Sequence, residues 1–297
     1  MIPIKNKRVT VIGAAKSGQS AAKLIVHHGG KVKISESGPE KLPAEFKSWA
    51  EQHRIAMEWN GHHQDFIEAS DVVVLSPGVL FNAPPAQWAR AKGIPVIGEI
   101  ELAYQFCDRP IIAVTGSNGK TTVSTLIHQV IKEAGYGVCL CGNVGMPFSE
   151  FVLQSDQKDF FVLEISSFQL ESLLEPQSIF RSATGHGQMH FKGFKPHIAV
   201  ILNFSQNHLD RHKDLQEYFE AKFQVLRYQT KDQVSLIPCE LFTDKATSTM
   251  MHHGLKNLAS HLCLVSMYEP DQSLLESIER NDFSANTFEC MYLVYSS

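Results

Sequence analysis

Residues 111–122 read Ile-Ile-Ala-Val-Thr-Gly-Ser-Asn-Gly-Lys-Thr-Thr, an apolar β-branched run that stops at a glycine-rich turn carrying a Lys-Thr pair. This order commits the segment to strand, tight turn and helix, and it constrains the whole chain toward a layered α/β architecture. Glycines let successive backbone N–H groups converge on one anion, and the following helix adds its positive N-terminal end. Lys120 supplies a mobile cation and Thr121 a hydroxyl for Mg²⁺. Gly116, Ser117, Asn118, Gly119, Lys120, Thr121 and Thr122 are therefore the expected phosphate cradle, with ATP and Mg²⁺ as the expected ligands. The spacing departs from the strict P-loop, because two residues rather than four separate the glycines and Val114 stands where the first glycine belongs. A Gly-Ser-Asn-Gly stretch alone is also compatible with a plain turn; the Lys-Thr-Thr that follows argues for the cradle.

A chain of 297 residues with 43% hydrophobic content can bury a sizeable core and is expected to form about two domains. The split is expected at 1–108 and 109–297, with an atypical stretch after about residue 230. A net charge of −4 and a pI near 6.4 provide no basic field, which argues against nucleic acid and anionic membrane surfaces as partners. The six cysteines show no C-x-x-C spacing, and Cys139 and Cys141 fall on one face of an expected strand. Buried reduced thiols and a cytoplasmic location are the expectation. Lys5, Lys7 and Arg8 precede only a short apolar run, 9–15, which Lys16 interrupts before a signal-peptide core is complete. No stretch approaches the length of a membrane span.

The first unit opens with Arg8-Val9-Thr10-Val11-Ile12-Gly13, then Ala14-Ala15-Lys16-Ser17-Gly18 and a helical pattern through Ala22, Leu24 and Ile25. Gly13 and Gly18 frame a turn like the dinucleotide fingerprint without its middle glycine, a weak signal by itself. The next strand, 31–35, ends at Glu36, where an acid is placed to accept from a ribose or a base edge. Further strands are read at 71–75, ending in Ser76-Pro77-Gly78, and at 94–97, leading to Gly98-Glu99-Ile100-Glu101. The second unit continues past the cradle with a helix over about 121–134 and a strand over 137–141 that ends at Gly142-Asn143-Val144-Gly145. The run Phe160-Phe161-Val162-Leu163-Glu164-Ile165 is a buried strand interrupted by one carboxylate, a natural oxygen donor for Mg²⁺ near a phosphate site; an N-cap or rim ion pair is the alternative. A strand over 197–202 leads to 203–212, which contains His208, and 218–227 reads as a helix containing Lys222. Alternating strands and helices predict parallel sheets with ligands at the C-terminal strand ends.

Together these residues resemble the Mur ligase family. The resemblance rests on VTGSNGKTT at 114–122, GNVG at 142–145, EISSFQLE at 164–171, NFSQNHLDR at 203–211 and Ala221-Lys222, and in the first domain on GAAKSG at 13–18, Ser76-Pro77-Gly78 and Gly98-Glu99-Ile100-Glu101. It covers roughly 5–230. The implied fold is α/β, an N-terminal Rossmann-like domain followed by a P-loop-type parallel-sheet ATPase domain. The resemblance further implies ATP-dependent amide-bond formation between UDP-N-acetylmuramoyl-L-alanine and D-glutamate, in peptidoglycan synthesis, and a monomer is expected.

The resemblance implies roles residue by residue. Lys120 holds the β- and γ-phosphates, Thr121 and Glu164 one Mg²⁺, and His208 and Lys222 help to place a second metal. The lysine at the position of Lys222 is carbamylated in the family, which turns a cation into an oxygen ligand; a solvated helix lysine is the reading without that pattern. Asn143, Ser166 and Gln169 line the muramoyl-alanine end. Ser17, Glu36, Ser76 and Asn82 surround the uridine diphosphate, with Glu36 in place of the usual aspartate. Asn257 is what remains of a nucleotide-binding Gly-x-His-Asn motif, since 254–257 reads Gly-Leu-Lys-Asn.

Several departures set further expectations. Residues 176–193 interrupt the pattern, and their His186 and His190 are expected to be surface histidines because no cysteine or carboxylate is spaced with them. Asn286-Thr287-Phe288-Glu289 replaces a His-Arg-Phe-Glu segment whose arginine serves the nucleotide. The family's third domain, which binds the amino acid and closes over ATP, has no counterpart in the sequence, so poor ligation or none is expected unless another polypeptide supplies it. Two alternatives remain open. One is a Mur-like protein that binds ATP or the UDP-precursor without turnover. The other is a P-loop enzyme such as a folylpolyglutamate synthase relative, against which the complete first domain with its Ser76-Pro77-Gly78 turn speaks.

Overall fold

Short β-branched runs that alternate with glycine turns and helices assemble into two parallel sheets, each at the centre of its own compact unit. The computed structural model describes residues 4–154, 158–174, 180–181, 188–189, 191–205, 212–244, 247–255, 258–266 and 288–292. One unit comprises Met1–Asp108, Cys141–Gln157 and Glu171–Gly193; the other comprises Arg109–Leu140, Lys158–Leu170 and Phe194–Ser297.

In the first unit the order is β1 (Arg8–Ile12), α1 (Lys16–His27), β2 (Lys31–Ser35), α2 (Ala44–Gln52), β3 (Ala56–Glu58), α3 (Gln64–Glu68), β4 (Val72–Leu75), α4 (Pro84–Ala91), β5 (Val96–Gly98) and α5 (Glu99–Tyr104). All five strands are parallel, in the order β3-β2-β1-β4-β5. The central pair is covered on both faces, which explains why β1 and β4 read as nearly continuous apolar runs; Val9, Val11, Ile12 and Val72, Val73 and Val74 are wholly buried. Asp71 ties the sheet's lower edge together by accepting from the Arg8 backbone N–H at 2.8 Å and from its guanidinium at 3.0 Å. Strand order reverses between β1 and β4, so the crevice for a ligand lies where Gly13 and Ser76 end these strands.

That crevice tolerates no side chain at two positions. Gly13 has φ +94°, and a Cβ there would stand 2.9 Å from the Ser76 Cβ. At Gly18 a Cβ would meet the Gly13 carbonyl oxygen at 1.9 Å. The paired glycines therefore let α1 start close against the end of β1, which is the physical content of the fingerprint-like spacing.

The second unit opens with β6 (Ile111–Thr115), α6 (Lys120–Glu133) and β7 (Val138–Gly142). The next helix, α7 (Phe148–Val152), packs with the first unit, against α1 and α5. There Glu99 accepts from the Ser149 backbone and hydroxyl, at 2.7 and 2.5 Å, and Ser20 donates to Glu150 at 2.9 Å. Burial pushes the Glu99 carboxyl above its ordinary range, against the pull of these two Ser149 bonds. The chain continues through β8 (Phe160–Glu164), α8 (Ser167–Leu170), a 3₁₀ turn over Glu171–Leu174, and a short antiparallel pair, β9 (Phe180–Arg181) with β10 (Gln188–Met189). Then follow β11 (Ile198–Ile201), α9 (Leu215–Phe223), β12 (Val234–Pro238), α10 (Glu240–Thr243), α11 (Ser248–Leu255), β13 (His261–Ser266) and β14 (Phe288–Tyr292). The strand order is β14-β13-β12-β11-β6-β8-β7, and every pair from β8 across to β14 is parallel.

The helix read at 218–227 begins earlier and ends earlier than its apolar pattern predicts. Asp214 accepts from the Glu217 N–H at 2.8 Å, and the Glu217 side chain accepts from the Lys213 N–H, a reciprocal cap that starts the helix at Leu215. Past Phe223 the chain tightens into 3₁₀ geometry over Gln224–Leu226. Of the interrupting stretch 176–193, His186 and His190 lie outside the described residues. At its end, Lys192 exchanges two backbone bonds with the Gln105 amide, at 2.7 and 2.9 Å.

The glycine contact at the first crevice sets a stability prediction. Gly18→Ala forces a methyl group onto a backbone oxygen and is expected to destabilise the chain by roughly 2–4 kcal/mol. Urea unfolding followed by circular dichroism checks this, and an unchanged midpoint would contradict the close packing of α1 on β1.

Candidate functional site

The cradle is built at the C-terminal end of β6, which lies between β8 and β11 where the strand order of the second sheet reverses. Gly116 takes φ +153° and lies so near β11 that a Cβ would stand 2.9 Å from the Leu202 Cβ. Gly119 occupies the left-handed region, φ +79°, at the N-cap of α6. Val123 is the residue whose N–H closes on the Gly119 carbonyl, so the amides between them have no acceptor inside the helix. These unmet donors and the helix dipole make the start of α6 an anion site.

A second loop clasps the first. Ser117 N–H donates to the Asn203 carbonyl at 3.0 Å, Asn118 N–H donates to Asn203 Oδ1 at 2.8 Å, and Asn203 Nδ2 returns a bond to the Asn118 carbonyl at 3.1 Å. The Ser205 N–H donates to Ser117 Oγ at 2.9 Å, and the Tyr218 hydroxyl lies 3.0 Å from the same oxygen. Ser117 and Tyr218 are buried, whereas Asn118, Gly119, Thr121 and Thr122 are exposed. The half that contacts β11 is fixed and the half that opens α6 faces outward.

Two lysines converge on the carbonyl of Gly116. Lys120 Nζ donates to it at 3.0 Å and to the Ser117 carbonyl at 3.0 Å. Lys222, on α9, donates to the same Gly116 oxygen at 2.8 Å and lies 4.6 Å from the centre of the Tyr218 ring. Lys222 is 1% exposed. Burial, with repulsion from Lys120 second, lowers its pKa to about 7. A solvated helix lysine is thereby ruled out for Lys222.

Glu164 ends β8 in register with Val114 of β6 and is buried, so its carboxylate sits at the strand end next to the cradle. The oxygen donors offered here, the exposed Thr121 hydroxyl and the Glu164 carboxylate, suit a hard cation such as Mg²⁺. His208 and Asn257 lie outside the described residues. Among the described residues, no group of three or more His, Cys, Asp or Glu side chains is arranged to hold a metal.

Ser166 and Gln169 are placed together, but facing each other. Gln169 N–H donates to Ser166 Oγ at 3.3 Å while Ser166 N–H donates to Gln169 Oε1 at 3.0 Å, a capping box that starts α8. His212, buried, is 2.9 Å from Ser167 Oγ and packs tilted against Tyr218, ring centres 5.1 Å apart. Asn143 is exposed in its loop, and the Gly142 N–H donates to the Met146 carbonyl.

In the first unit the crevice collects Ser17, Glu36 and Ser76. Ser76 Oγ donates to the Gly13 carbonyl at 3.0 Å. Glu36 accepts from the Ala14 N–H at 2.8 Å and from the Gly38 N–H at 3.0 Å. Burial alone would raise its pKa, but these two amides, Ser37 and His62 together hold it below the ordinary carboxylate range. Ser17 is half-buried in the first turn of α1. Asn82 is exposed ahead of α4, its carbonyl accepting from Gln87.

Residue-type reasoning passed over Asn203, Ser205, Tyr218 and His212. Asn203 and Ser205 carry no charge and stand in a run noticed for His208, and only the strand pairing of β6 with β11 brings them to the cradle. Tyr218 stands four residues before Lys222, one helical turn away, and that spacing is the signal that would have found it. On the other side of α9 a cavity of about 530 Å³, lined by Phe219, Phe223, Met250, Gly254 and Leu258, opens toward α11; no cradle residue lines it.

Two open parallel sheets, one ending in a glycine crevice and the other in a glycine turn on which two lysines converge, define an α/β protein with two candidate ligand sites. The chain matches the Mur ligase middle domain over 114–291 and the Mur ligase MurD-like N-terminal domain over 7–98. It belongs to the Mur ligase family. A UDP-N-acetylmuramoylalanine--D-glutamate ligase of Desulfosudis oleivorans is 35% identical over 236 residues, 80% of this chain and 48% of that protein. One of Streptococcus uberis is 34% identical over 271 residues, 91% of this chain and 55% of its own length. The chain thus spans about half the length of the curated relatives it matches. Among solved structures, UDP-N-acetylmuramate:L-alanyl-gamma-D-glutamyl-meso-diaminopimelate ligase of Neisseria meningitides aligns with a TM-score of 0.52 at 17% identity, over 90% of this chain and 82% of that one. This likeness shows the shared fold. Among the described residues, no helix is long and apolar enough to cross a membrane.

The buried lysine sets a pH dependence. Its ammonium has an ordinary value of 10.5 when unfolded and about 7 when folded, so between these values the unfolded chain binds more protons. Stability therefore rises with pH across that window, and the cost of charging Lys222 is complete below it. Lys222→Met is expected to raise the melting temperature at pH 6 in CO₂-free buffer, with the advantage shrinking by pH 9. A difference independent of pH would contradict the assignment.

Proposed function

We propose that the chain carries the nucleotide-binding and precursor-binding parts of an ATP-dependent ligase that joins D-glutamate to UDP-N-acetylmuramoyl-L-alanine in peptidoglycan synthesis. The observation that carries this reading is the convergence of Lys120 and Lys222 on the Gly116 carbonyl at the mouth of an anion-binding helix. Relatives of that name, matched over both units, support the choice of substrates.

In this reading the triphosphate lies along the start of α6, where the exposed amides and Lys120 hold its β- and γ-phosphates. Lys120 exchanges its two backbone acceptors for phosphate oxygens, a move that its flexible stem permits. The precursor carboxylate oxygen bonds to the γ-phosphorus as the bond to the β,γ-bridging oxygen breaks and ADP leaves. The D-glutamate nitrogen then adds to the acyl carbon, loses a proton, and phosphate departs as its C–O bond breaks. Each step moves negative charge among neighbouring oxygens, so positioned cations contribute most of the rate. Thr121 and Glu164 would hold Mg²⁺, which supplies charge neutralisation at the phosphates. His208 is assigned with Lys222 to a second metal, and Asn257 to the nucleotide.

Lys222 is suited to uptake of CO₂, because an amine with a pKa near 7 is largely unprotonated at slightly alkaline pH. The amine nitrogen bonds to the CO₂ carbon and releases a proton, leaving a carbamate with two oxygen donors. This change replaces a neutral amine beside Lys120 with an anion that attracts it. In the first unit, Glu36, Ser17, Ser76 and Asn82 would hold the UDP portion of the precursor.

Calorimetric titration with ATP and Mg²⁺ is expected to give binding that Lys120→Ala weakens about ten-fold or more. Mass analysis after incubation with ATP, Mg²⁺, UDP-N-acetylmuramoyl-L-alanine and D-glutamate is expected to give at most a trace of ligated product with the unaltered chain and none with Lys120→Ala. Product from both proteins, or ATP affinity indifferent to Lys120, would overturn the reading. Binding without product would leave a Mur-type nucleotide-binding protein without turnover.

A further inference from the structure

The C-terminal ends of β2 and β3 carry a cluster of polar groups that the roles assigned above do not use. Ser35, wholly buried at the end of β2, places its hydroxyl 2.5 Å from Glu58 Oε1 and 2.6 Å from His62 Nδ1. Glu58 also accepts from the His63 N–H at 3.2 Å, and its second oxygen lies 2.9 Å from His63 Nδ1. Burial pushes the Glu58 carboxyl up, but the bonds from Ser35 and His63 outweigh it and hold Glu58 below its ordinary range. Glu58 is therefore an acceptor only.

A proton count follows. The Ser35 hydroxyl has one hydrogen and gives it to Glu58, so its remaining contact must be received from His62 Nδ1–H. Burial lowers the pKa of His62 against the opposing pull of Glu58 and Glu36, which keeps the ring neutral. A neutral imidazole with its hydrogen on Nδ1 presents a bare lone pair at Nε2. His62 is half-buried, and its Nε2 makes no hydrogen bond with any described residue.

The location connects this lone pair to the ligand. In an open parallel sheet of this order the phosphates lie at the β1 turn and the nucleoside extends across the end of β2. Glu36 spans these two places, since it accepts from Ala14 in the β1 turn and stands next to Ser35. We infer that His62 selects the base of the precursor's nucleotide, its Nε2 accepting from the N3–H of a uracil. Cytosine offers a lone pair at N3 instead, so two acceptors would face each other there. The inference rests on the proposed binding of a uridine diphosphate moiety in the first unit.

Competition binding with UDP and CDP as probes tests it, in a Lys120→Ala background so that the phosphate cradle of the second unit does not contribute, and at pH 8 where the ring is neutral. The parent is expected to prefer UDP by about ten-fold or more. His62→Phe is expected to lose that preference by weakening UDP while leaving CDP unchanged. Ser35→Ala, which keeps the ring but frees its choice of tautomer, is expected to lower the preference in part. Retention of the parental UDP preference in His62→Phe, or a parent that does not discriminate, would overturn the role of His62 alone. A parent that binds neither nucleotide would instead overturn the precursor site in the first unit.

Discussion

Two ammonium groups share one backbone oxygen, and the second unit is organised around that contact. Lys120 reaches the Gly116 carbonyl from the first turn of α6, and Lys222 reaches it from α9. Like charges this close repel, and burial removes the water that would screen them. The strain would be relieved if Lys222 gave up its proton or, on the proposed reading, took up CO₂ or received an anion between the lysines. The arrangement is therefore costly to keep and suited to bind an anion. The clasp of Asn203 and Ser205 on Ser117 and Asn118 holds the glycine turn still while this balance shifts.

The first unit solves a different problem with the same architecture. At its crevice Glu36 is held ionised by backbone amides of the β1 turn and of Gly38. A site of this kind recognises neutral donors such as ribose hydroxyls and base N–H groups. The proton count around Ser35 extends the same logic, because it leaves His62 with an acceptor at Nε2. On the proposed reading one unit neutralises phosphate and the other reads a nucleoside.

The alternation of apolar runs with glycine turns was legible from the sequence, because parallel strands buried on both faces need continuous β-branched runs and their ends need glycine. The cradle at 116–122 and the buried carboxylate Glu164 were legible for the same reason, as local strand-turn-helix chemistry. The partners of that cradle were not. Asn203, Ser205 and Tyr218 reach it through the pairing of β6 with β11 and the packing of α9, contacts between residues about 85 to 101 positions apart. The burial of Lys222 was hidden similarly, since an isolated helix lysine is ordinarily solvated and only the family pattern marked it. The start of α9 was missed because an apolar period locates a helix but not its cap, and Asp214 with Glu217 set the boundary. Ser166 and Gln169 show the converse, a motif that marks a functional strand end while its side chains also cap α8.

Backbone amide hydrogen exchange with and without ATP and Mg²⁺ tests the central claim most directly, because it reads the cradle residue by residue. The account predicts slowed exchange concentrated at 116–123 and at 203–205, where the two loops hold each other, with the same protection lost in Lys120→Ala. Protection confined to the glycine crevice of the first unit, or spread evenly over the chain, would contradict a phosphate site built on β6.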